Sequence, residues 1–310
     1  MMGGIPSSTE KFLIDINRLQ KRSAKAQQQL ASGLKISKVS DSPDDISRLL
    51  AARANLSSVV QTQQNLGRVK VEVDTAEKAL QNGVGLIERA RTLAAQGSND
   101  LQGQATRRQI ADELQGILER LVTVASTAVE GRYVFSGDAD QIPPYSIDLS
   151  VPNGVSAYQG APANRKVADA SGLLFSTAQS ADLIFDSADP EQNVFGAVNG
   201  IRRALLAIDN PPDPPDPTIP TISEALHRLD TAGRYLNQRL STYGLIQNRV
   251  RESLDGASRL EISQRAQIAE IEEADLAHAA VELSQTRINL EAALQARASN
   301  PRRSLFDVLG

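Results

Sequence analysis

The sequence predicts a mainly α fold: a long coiled-coil-like helical rod with paired N- and C-terminal helices and a small β-rich insertion domain. Three observations predict it. Apolar residues recur at alternating steps of three and four through most of the chain. Aromatics make up only 4% of the residues and Trp is absent, whereas Ala, Gln, Leu and Arg recur, a balance that favours helices. A long Pro- and Gly-rich segment, residues 138–188, interrupts the repeat.

The first helix follows a capping pair, Ser7 with Glu10, in which two side chains reciprocally satisfy orphan backbone donors. Its row runs Phe12, Ile16, Leu19, Ser23, Ala26, Leu30, Gly33. Ser42 with Asp45 repeats the signal, and Pro43 then stands at the first helical position, where a missing N–H costs nothing. The row Leu49, Ala52, Leu56, Val59, Gln63, Leu66, Lys70, Val73, Glu77, Leu80, Val84, Ile87 follows, with the period of a coiled-coil seam. A helix over residues 44–96 would be roughly 80 Å long.

Thr106 with Gln109 opens a helix with the row Ile110, Leu114, Ile117, Leu121, Val124, Ala128. Pro143, Pro144, Pro152 and Pro162 then break the period, and the short runs 155–158, 166–168 and 181–185 suit strands. Asp189 with Gln192, and Pro190 at the first helical position, predict a helix over 190–208. Residues 210–220 hold so many prolines that neither helix nor inner strand is possible, and they read as an exposed, stiff connector. Thr221 with Glu224 opens the last long helix, whose row runs Ile222, Leu226, Leu229, Gly233, Leu236, Leu240, Tyr243, Gln247, Val250, Leu254, Ala257. Helices this long need partners to bury their apolar faces, so the three long ones are expected to form an antiparallel bundle.

Beyond Ala257 the row restarts one residue out of phase at Ile262, Ala266, Ala269 and Leu276, which predicts a joint over residues 256–270. The final helix carries Leu276, Ala280, Leu283, Arg287, Leu290, Leu294, Arg297. Charge suits the pairing of the two ends. Residues 11–38 hold seven Lys/Arg against Asp15 alone, net +6, and residues 261–297 hold seven acids against three Arg, net −4. The expected assembly seam is therefore Phe12, Ile16, Leu19, Ala26 and Leu30 with Leu276, Ala280, Leu283, Leu290 and Leu294.

The domains so read are an N-terminal assembly helix (1–43), the first part of the rod (44–137), a β-rich outer domain (138–189), the second part of the rod (190–260) and a C-terminal assembly helix (261–310). The net charge of −4 and the lack of a basic stripe with interleaved aromatics argue against nucleic acid. No apolar run approaches the roughly 20 residues that span a bilayer, and the N-terminus has no apolar segment of the secretory kind. With no cysteine and two histidines, nucleophilic triads and Cys-based metal sites lack material, so neither an enzyme nor a cofactor is expected. Asp275, His278 and Glu282 share a helical face, but a metal site needs further ligands and second-shell partners, so a surface polar cluster is the simpler reading. Gly83 with Gly85, and the Gly3-Gly4 pair, lack the strand and lysine of a phosphate loop. The acidic run 270–275 reads as a solvated or salt-bridged face.

Several motifs resemble one family. Leu30-Ala-Ser-Gly-Leu-Lys-Ile36 followed by Ser40-Asp-Ser-Pro-Asp-Asp45 is similar to the N-terminal motif of the flagellin and hook-associated protein 3 superfamily. Leu276-Ala-His-Ala-Ala-Val-Glu-Leu-Ser-Gln285, Ala292-Ala-Leu-Gln-Ala296 and Ser304-Leu-Phe-Asp-Val-Leu309 resemble its C-terminal helix. Gly131-Arg-Tyr-Val-Phe-Ser-Gly137 looks like the turn into the outer domain of the junction branch, as Tyr158-Gln-Gly160 does more weakly, with Ser42, Asp44, Asp45, Gly131, Tyr133, Phe135 and Gly137 as the motif residues. Pro43 precedes the acids here, whereas it follows them in the usual junction order.

The resemblance implies a structural subunit of the bacterial flagellum, extracellular at the hook-filament junction and exported by the flagellar type III system without a cleaved signal peptide. It implies as partners hook-associated protein 1, flagellin, copies of the chain itself and a flagellar export chaperone, with no nucleic acid and no membrane. Two alternatives stay open: a short flagellin forming the filament itself, and a cytoplasmic coiled-coil adaptor.

Overall fold

The chain is described by a computed structural model over residues 8–36, 42–99 and 101–299. Ser7, Gly3 and Gly4, Ser40 and Asp41, and the closing stretch 304–309 lie outside the described residues. Seven helices and four short strands follow in order among the described residues: α1 (Ser8–Ser32), α2 (Pro43–Gly97), α3 (Gln104–Ala125), β1 (Ala128–Val129), β2 (Arg132–Tyr133), β3 (Lys166–Ala168), β4 (Leu174–Ser176), α4 (Ala181–Phe185), α5 (Val194–Asp209), α6 (Ile222–Glu272) and α7 (Leu276–Ser299). They divide into two compact units, residues 59–260 and residues 1–58 with 261–310. The first boundary falls 15 residues beyond the one placed at 43/44 from the sequence, inside α2.

In the unit 59–260 the long helices run antiparallel, as paired contacts show. Along α2, Asp74 and Glu77 both accept from Gln247 Nε2 at 2.6 and 2.8 Å, Gly83 meets Leu236, and Arg91 pairs with Asp230 at 2.6 Å. The α6 partner number falls as the α2 number rises. The same holds for α3, with Gly83 against Leu121 and Val124, Arg89 against Glu113 at 3.2 Å, and Gly97 against Ile110. A Cβ on Gly83 would stand 3.5 Å from Leu236 and 3.7 Å from Val124, so this glycine marks where the three helices meet.

A fourth helix, which the three-helix expectation left out, completes that core. α5 packs on α3 and buries Val194, Phe195, Val198, Ile201 and Leu205 completely. Arg107 of α3 forms an ion pair with Asp209 at its C-terminal end. Full burial of apolar side chains of this size is worth about 1.5–3 kcal/mol each.

Helix starts follow local hydrogen bonding, and two differ from the sequence expectation. At α6 the capping box forms as predicted: Thr221 N donates to Glu224 Oε2 at 2.9 Å, and Glu224 N donates to Thr221 Oγ1 at 3.3 Å. At α2, Ser42 Oγ donates to Asp45 Oδ2 at 2.8 Å and Pro43 is the first helical residue. At α3 the N-cap is Gly103 rather than Thr106. At α5 the start moves from residue 190 to Val194, because Asp189 Oδ1 is spent on a turn, accepting from Glu191 N at 3.0 Å. Asn193 Oδ1 caps the helix instead, accepting from Gly196 N at 2.7 Å.

The insertion holds less strand than expected. Residues 166–168 do pair, with 174–176, as an antiparallel hairpin. Residues 155–158 give one isolated bridge, Val155 with Ile147. Residues 181–185 form helix α4: Ala181, Ile184 and Phe185 are buried at helical spacing while Leu183 is exposed, so the apolar run has the helical period and not alternation. A further hairpin, β1 with β2, turns at Glu130 and Gly131, both at positive φ (51° and 78°), the geometry of a type I′ turn. In the connector 210–220, Arg203 Nη2 donates to Asp216 Oδ2 at 2.6 Å and to Thr218 Oγ1 at 2.8 Å, which ties the proline-rich loop to α5.

Candidate assembly surface

The unit built from the two chain ends carries most of the residues singled out from the sequence. α1 packs along α7. On α1 the shielded residues are Phe12, Ile16, Leu19, Ser23, Ala26, Gln29 and Leu30, with Gly33 just beyond its end, and Ala26 is only 1% exposed. Apart from Gln29, this is the row read from the sequence.

On α7 the covered row is Ala279, Leu283, Thr286, Leu290 and Ala293. Leu283 and Leu290 therefore lie in the seam, whereas Leu276, Ala280 and Leu294 are exposed and stand outside it. The two rows share a period but differ by a residue at several places. The reason is that α7 is apolar on more than one side, so its period does not single out one face.

Polar contacts fix the pair. Arg22 Nε donates to Glu282 Oε1 at 2.6 Å and its Nη2 to Oε2 at 3.1 Å, a two-pronged ion pair from α1 to α7. The guanidinium's hydrogen bond, then its charge, hold the Glu282 carboxyl below the usual carboxylate range. Arg297 stands 5.5 Å from the centre of the Phe12 ring at the other end. The third member of the imagined metal face, Asp275, caps α7 by accepting from His278 N at 2.9 Å. Both carboxylates of that face thus already have structural partners.

The expected single C-terminal helix is broken. α6 shows no break in its helical hydrogen bonding over residues 256–270, where the joint was expected, and the interruption falls instead at residues 273–275, where the chain end of α1 meets it. Gly33, at φ +72°, ends α1 with its N–H donating to Gln29 O at 2.8 Å, the left-handed cap that glycine adopts without a Cβ penalty. The next residues then pair with the break: Lys35 N donates to Glu272 O at 2.7 Å and Ala274 N to Gly33 O at 2.8 Å, with Leu34 opposite Glu273. Arg53 Nη2 also donates to both carboxylate oxygens of Glu272, at 2.7 and 2.8 Å. The motif 30–36 is thus a stop and a short ladder that receives the α6–α7 break. The glycine after the apolar row was the available signal for the stop, and Asp275, a capping residue type directly before Leu276, was the one for the restart.

The remaining motif residues divide in the same way. Asp45 is half-buried beside Lys35 (3.8 Å) and Arg48 (3.7 Å), while Asp44 is exposed. In the other unit, Tyr133 lies in β2 opposite Ala128, and Phe135 is fully buried, edge-on to Phe185 (5.8 Å) and Tyr243 (6.0 Å). Gly137 has φ +62°, and a Cβ there would lie 1.8 Å from Ala161 O. Tyr158 Oη lies 3.2 Å from Phe135 O and 3.1 Å from Ala161 O, with its hydroxyl pushed up to about 12, chiefly by burial. Gly160 passes so close that a Cβ would lie 2.3 Å from that hydroxyl. The stretches 131–137 and 158–160, separate in sequence, thus form one locked corner.

His227 pairs with Glu191 at 3.3 Å, and among the described residues no group of three His, Cys, Asp or Glu is placed to hold a metal ion. Among them also, no helix is long and apolar enough to cross a membrane. The distinctive feature of the terminal unit is open apolar helix surface, Leu13, Ile14, Val281 and Ile288 among it.

Known proteins share these features. The bacterial flagellin N-terminal helical region matches residues 8–140 and the bacterial flagellin C-terminal helical region matches residues 226–307. A flagellin of Clostridium tyrobutyricum is 29% identical over 115 residues, 37% of this chain, and the chain spans only 30% of that flagellin's length. Hook associated protein-3 of Legionella pneumophila has a similar fold, with a TM-score of 0.60 at 14% identity over 71% of this chain and 98% of its own. FlgL of Bacillus cereus gives 0.56 at 20% identity over 71% and 99%. Matched in order at its two ends, over more than half of its residues, the chain belongs to the bacterial flagellin family.

Proposed function

We propose that the chain is a structural subunit of the bacterial flagellum that connects hook to filament, working by helix packing between subunits and not by catalysis. The observation that carries this reading is the pairing of the two flagellin-type ends into a unit that leaves large apolar side chains open. Leu13, Ile14, Leu50, Ile262, Leu276, Val281, Ile288 and Leu294 are all exposed there. A monomer gains nothing from such a surface, whereas neighbouring copies bury it. The likeness in fold to hook associated protein-3 and FlgL over nearly their whole length supports the junction, as does the corner at residues 131–137. Hook-associated protein 1, flagellin and further copies are the partners on this reading, and an export chaperone covers the open C-terminal helix before assembly.

Relatives such as the Clostridium tyrobutyricum protein are themselves flagellins, which favours a short filament subunit as the second reading. Immunogold labelling of isolated hook-filament particles separates the two. Label confined to the hook-proximal end of the filament is the expected result; label along its whole length assigns the chain to the filament. Function retained after deletion of residues 271–310 would instead point to the cytoplasmic adaptor.

A further inference from the structure

Inside the unit 59–260 lies a cavity lined by two opposite charges that have no ion pair among the described residues. It measures about 340 Å³, within the range of small-ligand sites. α5 lines it at Gly196 and Gly200, where the helix backbone carries no side chain, and Pro220 of the connector packs against Gly200. Pro152, Ala188 and Pro190 on its lining are exposed, so solvent reaches it.

The negative charge is Asp186, directly after α4. Its Oδ1 accepts from Asn153 Nδ2 at 2.9 Å and from Asn193 Nδ2 at 2.8 Å, so both amides bind one oxygen. Burial raises the Asp186 carboxyl above the usual carboxylate range, and the like charge of Asp182, one turn earlier, adds to this against the amides. A cationic group beside it would offset both. The positive charge is Arg228, half-buried on α6. Glu224, one turn before it, is held instead by Thr221 in the capping box.

We infer that this cavity binds a small zwitterion of the free amino-acid class, with its ammonium group at Asp186 and its carboxylate at Arg228. The inference goes beyond the assembly role and does not depend on it. The rest of the lining narrows the class. No aromatic ring lines the cavity, so a sugar or a nucleobase finds nothing to stack on. A polyanion is disfavoured, because a single guanidinium faces it and Asp186 repels the second charge. The bare backbone at Gly196 and Gly200 allows close approach to α5. Ser187 Oγ accepts from Asp189 N at 3.3 Å and keeps its own proton to donate to a polar side chain. Because the lining comes from the insertion, α5, the connector and α6, an occupant ties these parts together and stabilises the folded state.

The test uses the full chain with L-glutamine, and with glycine, propionate and propylamine for comparison, read by calorimetry and thermal denaturation. L-glutamine at millimolar concentration is expected to give a saturable heat and a Tm that rises with its concentration. Propionate and propylamine, each with one of the two charges, are expected to bind about tenfold more weakly or worse. Asp186→Asn keeps an acceptor for the two amides, and Arg228→Gln keeps a polar side chain; each is expected to lower affinity about tenfold or more. Gly200→Ala suits the helix, and its methyl would stand 3.5 Å or less from Pro220, at 3.4 Å, yet it takes space in the cavity and is expected to weaken binding severalfold. Circular dichroism checks each fold, and if a charge variant unfolds, Gly200→Ala decides. No heat with either amino acid overturns the inference, as does unchanged affinity in any folded variant. Propionate or propylamine binding as tightly as L-glutamine overturns the two-charge assignment. Every one of these outcomes leaves the assembly role as it stands.

Discussion

Gly131 and Gly137 look alike in the sequence, since they open and close one motif, but the structure gives them different burdens. Both adopt positive φ. Around Gly131 a Cβ would meet nothing within 4 Å, so Gly131→Ala is expected to cost only the left-handed backbone penalty, about 1 kcal/mol. At Gly137 the same Cβ would overlap the Ala161 carbonyl, so Gly137→Ala should cost more than about 2 kcal/mol. Denaturant titration of both variants checks this, and equal losses would show that backbone conformation alone matters. That Gly137 is glycine was legible; why it must be was not, because Ala161 is 24 residues away.

At the level of elements, the helix rows were the most legible feature, and α1 and α7 show the limit. α1 alternates apolar with charged residues, so its period selects one face. α7 is rich in Ala and has leucine, valine and isoleucine on several sides, so its period fits more than one seam. The register in the folded unit is seen in the polar pair Arg22–Glu282, 260 positions apart. Glu282 is held below its unfolded value, so its contribution is fully present above the unfolded pKa of about 4.3 and is lost as pH falls through the lower folded value. Glu282→Gln is therefore expected to lower the Tm of the terminal unit at neutral pH, with the gap from wild type closing as pH falls below about 4. A gap that persists at pH 2 would assign the loss to packing. α4 teaches the converse lesson: five residues are too few for a period to separate helix from strand, and burial of Ile184 and Phe185 together settled it.

Across the whole molecule, the two units are maintained differently. Residues 59–260 enclose a large apolar core drawn from α2, α3, α5, α6 and the insertion, including Phe135, Phe195, Leu229 and Tyr243. A fragment of residues 59–260 is expected to fold alone, with a helical circular dichroism spectrum and a cooperative thermal transition. A broad, non-cooperative melt would mean that its core needs the chain ends. The terminal unit has few fully buried side chains, Ala26 and Ala279 among them, and an outer surface that is still apolar. That difference suits a preformed body joined to ends that gain their remaining burial from other copies.

The sequence by itself determined the helical class, the order of the long helices, the face of α1 that seeks a partner and the family to which both ends belong. These rest on local physics: hydrophobic period, capping residues and fixed proline angles act within a few residues and leave their mark there. The tertiary structure alone decided that α5 joins the bundle, that residues 181–185 are helical, that the chain breaks at 273–275, and which face of α7 is left open. Each of these depends on atoms brought together from far along the chain, Gly33 with Ala274 or Arg22 with Glu282, and no local pattern records such a meeting.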